Sequence, residues 1–151
     1  MGVSTMYSTD PNAVRFREAR ERLGLSPKEA AERMAVALGA LRDIECIADE
    51  LMIYSPAQIQ KFCEVLAINP RDLLGIESTA APITPTELVA LIREHCRAHG
   101  MTIGQFEDAS GWTLAHTMEQ PAQFLHDYNM EAFREICGGL GVDWQRFVLS
   151  L

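Results

Sequence analysis

No run of apolar residues in this 151-residue chain approaches the roughly 20 that a membrane-spanning helix needs. The opening, MGVSTMYSTD, lacks the apolar stretch of a secretory signal, so the sequence points to a cytoplasmic protein without a membrane partner. Gly2 sits where an N-myristoylation signal has its glycine, but Met6 stands where that signal wants Ser or Thr. The four cysteines, Cys46, Cys63, Cys96 and Cys137, have no CxxC spacing; their apolar neighbours lead us to expect buried thiols in a reducing compartment. Basic charge is scarce: 13 Lys and Arg face 21 Asp and Glu, for a net charge of −8. The deficit is uneven, with 9 basic and 11 acidic side chains up to Ile76 against 4 and 10 beyond it. A polyanionic partner would therefore have to find a local basic patch. Glycine-rich phosphate loops, a nucleophile elbow and paired carboxylates are also missing, which argues against an enzyme, a cofactor or a small-molecule substrate. His95 and His99 have a spacing that can hold zinc, but no third or fourth ligand follows, so no metal site is expected.

What the chain does contain is a repeat. FREARERLG at 16–24 is echoed by IREHCRAHG at 92–100, an offset of 76. FCEVLAINPRDLL at 62–74 is echoed by ICGGLGVDWQRFV at 136–148, an offset of 74. A duplication with a two-residue deletion inside its second copy accounts for both.

The pattern within each copy is helical. A first helix runs from Pro11 to Leu23 and stops at Gly24. Ser26-Pro27 caps and opens a second, whose apolar face holds Ala30, Ala31 and Met34. A third spans Leu38 to Ile47. Ser55-Pro56 opens a fourth, with Ile59, Phe62, Cys63 and Leu66 at i, i+3, i+4, i+7, and Asn69-Pro70 a short fifth. Residues 77–85 are small, polar and proline-containing, which predicts a linker. The order then recurs: a sixth helix from Pro85 to His99, a seventh capped by Thr102, a shortened eighth after Trp112, a ninth after Tyr128 or Asn129, and a tenth capped by Asp143. Trp112 and Trp144 are expected in the packing. The fold class predicted is all-α, as domains 11–76 and 86–151.

The run ARERLGLSPKEAAERMAV and the echo IQKFCEVLAINPRDLL make residues 12–75 similar to the lambda-repressor/Cro-like helix-turn-helix family. Residues 86–149 resemble it less closely but keep register, most clearly at LGVDW. The resemblance implies two tandem five-helix domains. It also implies an ion pair joining Arg20 on the first helix to Glu45 at the end of the third, with Glu119 and Cys96 at those places in the second copy. Glu119 would then need Arg97, His95 or solvent as its partner.

In that family the start of the third helix enters the major groove and reads base edges. The matching positions here are Ala37, Leu38 and Gly39, and none can make a bidentate hydrogen bond to a base. Asp43 would point a negative charge into the groove, and Pro27 replaces a phosphate-gripping residue. Ile47-Ala48-Asp49-Glu50 stands where a basic loop is usual. In the second copy Ile103, Thr113, Leu114 and Ala115 fall at the reading positions. Arg15, Arg22, Lys28 and Arg42 remain possible phosphate contacts, although interleaved glutamates favour an internally paired, solvated helix face.

Leu38 is expected to be exposed, and Leu51, Met52, Ile53 and Tyr54 form an apolar run after the third helix. Such a run either packs between the repeats or marks a protein contact. The sequence thus predicts a regulatory protein acting mainly by protein contact or self-association, as in a dimer. A DNA-binding regulator that uses the first repeat is the alternative.

Overall fold

The computed structural model describes residues 6–151, and among them the fold is all-α with no strand. Gly2, with the acylation reading attached to it, lies outside the described residues. The chain divides into two compact units: one runs up to Tyr54 and includes Gln58–Glu77, the other comprises Ser55–Ala57 and Ser78–Leu151. No helix among the described residues is long and apolar enough to cross a membrane.

The first unit contains α1 (Pro11–Arg22), α2 (Pro27–Met34), α3 (Leu38–Cys46), a 3-10 turn (Glu50–Ile53), α4 (Pro56–Leu66) from Gln58 onward and α5 (Pro70–Leu73). α2 starts where it does because Ser26 and Glu29 close a reciprocal capping box: Glu29 N donates to Ser26 Oγ at 3.1 Å and Ser26 N to Glu29 Oε1 at 3.3 Å. Two otherwise unpaired amides at the helix start are thereby satisfied. The apolar faces of these helices meet in a core of Phe16, Leu41, Ile44, Ile59 and Phe62, all buried. Phe16 meets Phe62 edge-on, with centroids 6.1 Å apart.

The 3-10 turn is absent from the sequence expectation. Asp49 takes a left-handed conformation, φ 60°, which redirects the chain after α3. The turn packs against α1 and α3 and carries Leu51 and Met52 into the interior.

The second unit contains α6 (Pro85–Ala98), α7 (Ile103–Ser110), α8 (Ala115–Glu119), a 3-10 turn (Pro121–Gln123), α9 (Phe124–Asp127), α10 (Met130–Leu140) and α11 (Gln145–Val148). Thr102 and Gln105 form a second capping box, and Asn129 caps α10 through Ala132 N at 2.9 Å. The Pro121 turn and α9 were not foreseen either. They deliver Phe124 to an aromatic cluster with Tyr128, Phe133 and Phe147, in which Phe133 and Phe147 stack at 4.1 Å. Ile83, inside the expected linker, is buried, and its amide donates to Arg146 O at 2.8 Å. Arg146 Nε donates to Ala81 O at 2.8 Å, so this part of the segment is pinned to α11.

The backbone repeats along with the letters. Left-handed residues close helices at Gly24, Ala35 and Ala67 in the first unit and at Gly100, Gly111 and Gly141 in the second. The spacings are those of the sequence repeat, 76, 76 and 74 residues.

Candidate interaction face

The candidate face is the exposed side of α3 with the start of α2. α1 and α3 are locked together by a buried ion pair, so that α3 is held at a fixed angle. Arg20 Nε and Nη2 donate to the two Glu45 carboxylate oxygens at 2.7 and 2.8 Å, and Arg20 Nη1 donates to Leu25 O at 2.9 Å. Both side chains are at most 5% exposed. The hydrogen bond to Glu45 outweighs the opposing effect of burial and raises the Arg20 guanidinium above its usual range. Such a planar, two-point contact fixes orientation in a way a single point charge does not.

On the outer side, Ala37, Gly39, Arg42 and Asp43 are exposed, Pro27 is half-buried, and Leu38 is half-buried instead of fully exposed. α3 starts without a side-chain cap, because Ala37 has no polar atom to offer. No side chain of this first turn can donate to or accept from a base edge. The local field is acidic. Tyr54 has its hydroxyl pushed up by burial first and then by Glu50 and Asp43.

The basic residues divide into two sets. Arg15 is committed internally: its Nε donates to Leu73 O at 2.8 Å and its Nη2 to Asn12. The guanidinium also lies so close under Gly75 that a Cβ there would fall 2.6 Å from Arg15 Cζ. Arg15 thus ties α1 to the end of α5. Arg17 pairs with Glu21 at 3.8 Å and lies 4.3 Å above the Tyr7 ring. Arg22, Lys28 and Arg42 are exposed.

The apolar run is not a continuous surface patch. Leu51 is 1% and Met52 2% exposed, because the 3-10 turn aims them inward. Tyr54 is half-buried, with its ring edge-on to Phe62 at 5.0 Å. Ile53 alone of the four stays outside, at 55%. The sequence reading missed Ile47, 47% exposed at the end of α3, which had been set inside that helix. Ile47 follows the last residue of α3 and lies two positions past Glu45, the last buried residue of that helix.

In the second unit the corresponding segment has a different register from the one the sequence suggests. α3 buries Leu41, Ile44 and Glu45; around α8 the buried residues are Leu114, Thr117 and Met118, at the same 0, +3, +4 spacing. Leu114, expected on a reading face, is therefore interior, and Met118 holds the buried place that Glu45 holds in α3. Glu119 is exposed, and Arg97 pairs with Glu94 on its own helix. Between left-handed Ala35 and Leu41 lie five residues; between Gly111 and Leu114 lie two. The shortened segment has lost about a helical turn. The buried polar groups here are hydroxyls: Thr117 Oγ1 lies 2.9 Å from Leu114 O and 2.8 Å from Tyr128 Oη, and Tyr128 Oη bonds Thr113 O.

Cys63, Cys96 and Cys137 are buried, as expected; Cys46 is only half-buried. Burial pushes the Cys63 thiol up to about 12, and burial together with Asp143 pushes Cys137 to about 11. Trp112 and Trp144 are half-buried and not part of the core: Trp112 Nε1 donates to Glu135, and Trp144 lies 5.0 Å below Arg134. His95 and His99 stack at 4.2 Å, and no group of three or more metal-ligating side chains occurs among the described residues. No family model matches the chain, and no solved structure matches it.

Proposed function

We propose that the chain is a regulatory interaction protein made of two lambda-repressor-like helix-turn-helix repeats whose base-reading chemistry has been lost, and that it acts through protein contacts. The supporting observation is the exposed side of α3: Ala37, Gly39 and Asp43 stand where base-reading side chains would be needed, beside the acidic surroundings of Tyr54. Three further features agree. The left-handed helix ends recur at the repeat spacing. Two of the helix-one arginines, Arg15 and Arg20, are consumed in internal contacts. Ile47, just after α3, and Ile53, the last residue of the 3-10 turn, expose apolar surface.

The second reading, DNA binding through the first repeat, draws on the exposed Arg22, Lys28 and Arg42. Phosphate contacts of this kind give salt-dependent, sequence-independent affinity. Sedimentation of the native protein and of Ile53→Glu over a concentration series separates the two. Self-association in the native chain that Ile53→Glu weakens tenfold or more supports the contact reading. A native chain that stays monomeric at all concentrations and retards duplex DNA in a parallel gel contradicts it.

A further inference from the structure

The outer side of α3 carries charge of opposite sign on its two edges. Arg42 and Asp43 are both exposed, and among the described residues neither forms an ion pair within the chain. At about 100° per residue they fall on opposite sides of Gly39, three and four positions along from it. Contacts elsewhere in the unit agree with that division. Arg42 lines a cleft together with Pro27, whose neighbour Lys28 is exposed. Asp43 lies on the Tyr54 side, where burial first, and then Glu50 and Asp43, pushes the tyrosine hydroxyl up. One edge is thus basic, with Lys28 and Arg42, and the other acidic, with Asp43 and Glu50.

Between the edges the surface is low. Ala37 and Gly39 are exposed, and no heavy atom from elsewhere in the fold lies within 4 Å of the point a Gly39 Cβ would occupy. The unit's own packing therefore does not call for glycine there. A glycine on an open helix face lets a second backbone come close. Half-buried Leu38 at the start of α3 and exposed Ile47 just after its end add apolar surface. A partner for this face must oppose an acidic edge to Lys28 and Arg42 and a basic edge to Asp43 and Glu50, with a low surface between them. The same face of another copy meets all three requirements. When a two-fold axis runs along the helices, so that the two α3 helices are parallel, each basic edge meets the other copy's acidic edge. When the axis crosses the helices and they run antiparallel, like charges meet.

We infer that the partner of the α3 face is a second copy of this chain, joined by a parallel, two-fold pairing of α3 in which Arg42 of each copy stands opposite Asp43 of the other. The inference rests on the contact reading proposed above and narrows it to one partner and one orientation. A patch this small, matched mainly by charge, makes a weak dimer that salt loosens.

The test is sedimentation of the full chain over a concentration series. Arg42→Asp sets acid against acid and is expected to weaken self-association at least tenfold. Adding Asp43→Arg to it exchanges the two edges and is expected to return association to within threefold of the native chain. Gly39→Leu fills the low centre, where nothing in the unit stands in its way. It is expected to weaken association tenfold or more with no fall in melting temperature, which separates a lost contact from a damaged fold. A native chain that self-associates, with unchanged strength in Arg42→Asp and Gly39→Leu, would overturn the α3 pairing and leave a protein contact elsewhere standing. A double variant as weak as Arg42→Asp alone would overturn the charge match. A native chain that stays monomeric throughout would also overturn the pairing; the broader contact reading falls with it only if duplex DNA is retarded as well.

Discussion

The two units place opposite chemistry at matching buried positions of the repeat. In the first, a charged pair, Arg20 and Glu45, is buried between α1 and α3, with each of the three guanidinium nitrogens donating one hydrogen bond. In the second, the thiol of Cys96 and the side chain of Met118 are buried, and polarity is confined to the Thr117 and Tyr128 hydroxyls beside an aromatic cluster. A buried ion pair is costly to desolvate and gains its value from geometry, whereas apolar packing gains it from area and shape. The comparison teaches that the ion pair is one solution to a packing problem. The angle it fixes in the first unit is a property of α3, the helix whose outer face is in question.

The largest effect should come from breaking that pair on one side. Glu45→Ala leaves the Arg20 charge buried and is expected to cost about 3–5 kcal/mol in chemical denaturation. The double variant Arg20→Met, Glu45→Met makes the corner apolar, as in the second unit, and should recover a large part of that loss. Double and single variants of equal instability would break the comparison.

A smaller effect is expected in the second unit. Thr117→Val removes the hydroxyl that contacts Leu114 O and Tyr128 Oη, while Tyr128 keeps its bond to Thr113. The loss should be about 1–2 kcal/mol by the same denaturation measurement. A neutral result would mean that this hydroxyl pair contributes specificity only.

The smallest effects concern the helix ends. The first unit places Ala35 in the left-handed region that the second unit fills with Gly111, φ 58° against 81°. A side chain there costs about 1 kcal/mol, partly offset by the greater unfolded-state freedom of glycine. Gly111→Ala should therefore destabilise, and Ala35→Gly should be neutral or stabilising. Melting temperatures that shift in the same direction for both would contradict the pairing of these two positions.

Local signals were legible in the sequence and register was not. Ser26, Asn69, Thr102 and Asn129 all accept the amide hydrogen bonds that their residue types at helix starts predict. The stripe Ile59, Phe62, Cys63 and Leu66 is buried as its period requires. The apolar run 51–54 left both packing and contact open because a run without period does not say which way it turns. The left-handed Asp49 settles that, and aspartate is only weakly marked for it. Leu114 lies in the shortened segment, where the offset of the repeat no longer gives the register and burial at 0, +3, +4 does. The internal role of Arg15 was hidden for a different reason: its partners, Leu73 O and the close approach of Gly75, are 58 and 60 residues away in the chain.

On the function proposed above, the chain repeats a helix-turn-helix fold without the base-reading chemistry attached to it. The most direct test is titration of a labelled random duplex pool at roughly 50 and 200 mM salt, where phosphate contacts would make affinity fall by orders of magnitude. We predict no saturable binding tighter than about 100 µM at either concentration, the weak end of non-specific association. Micromolar or tighter binding that weakens steeply between the two salts would contradict the claim and return Arg22, Lys28 and Arg42 to a phosphate-binding role.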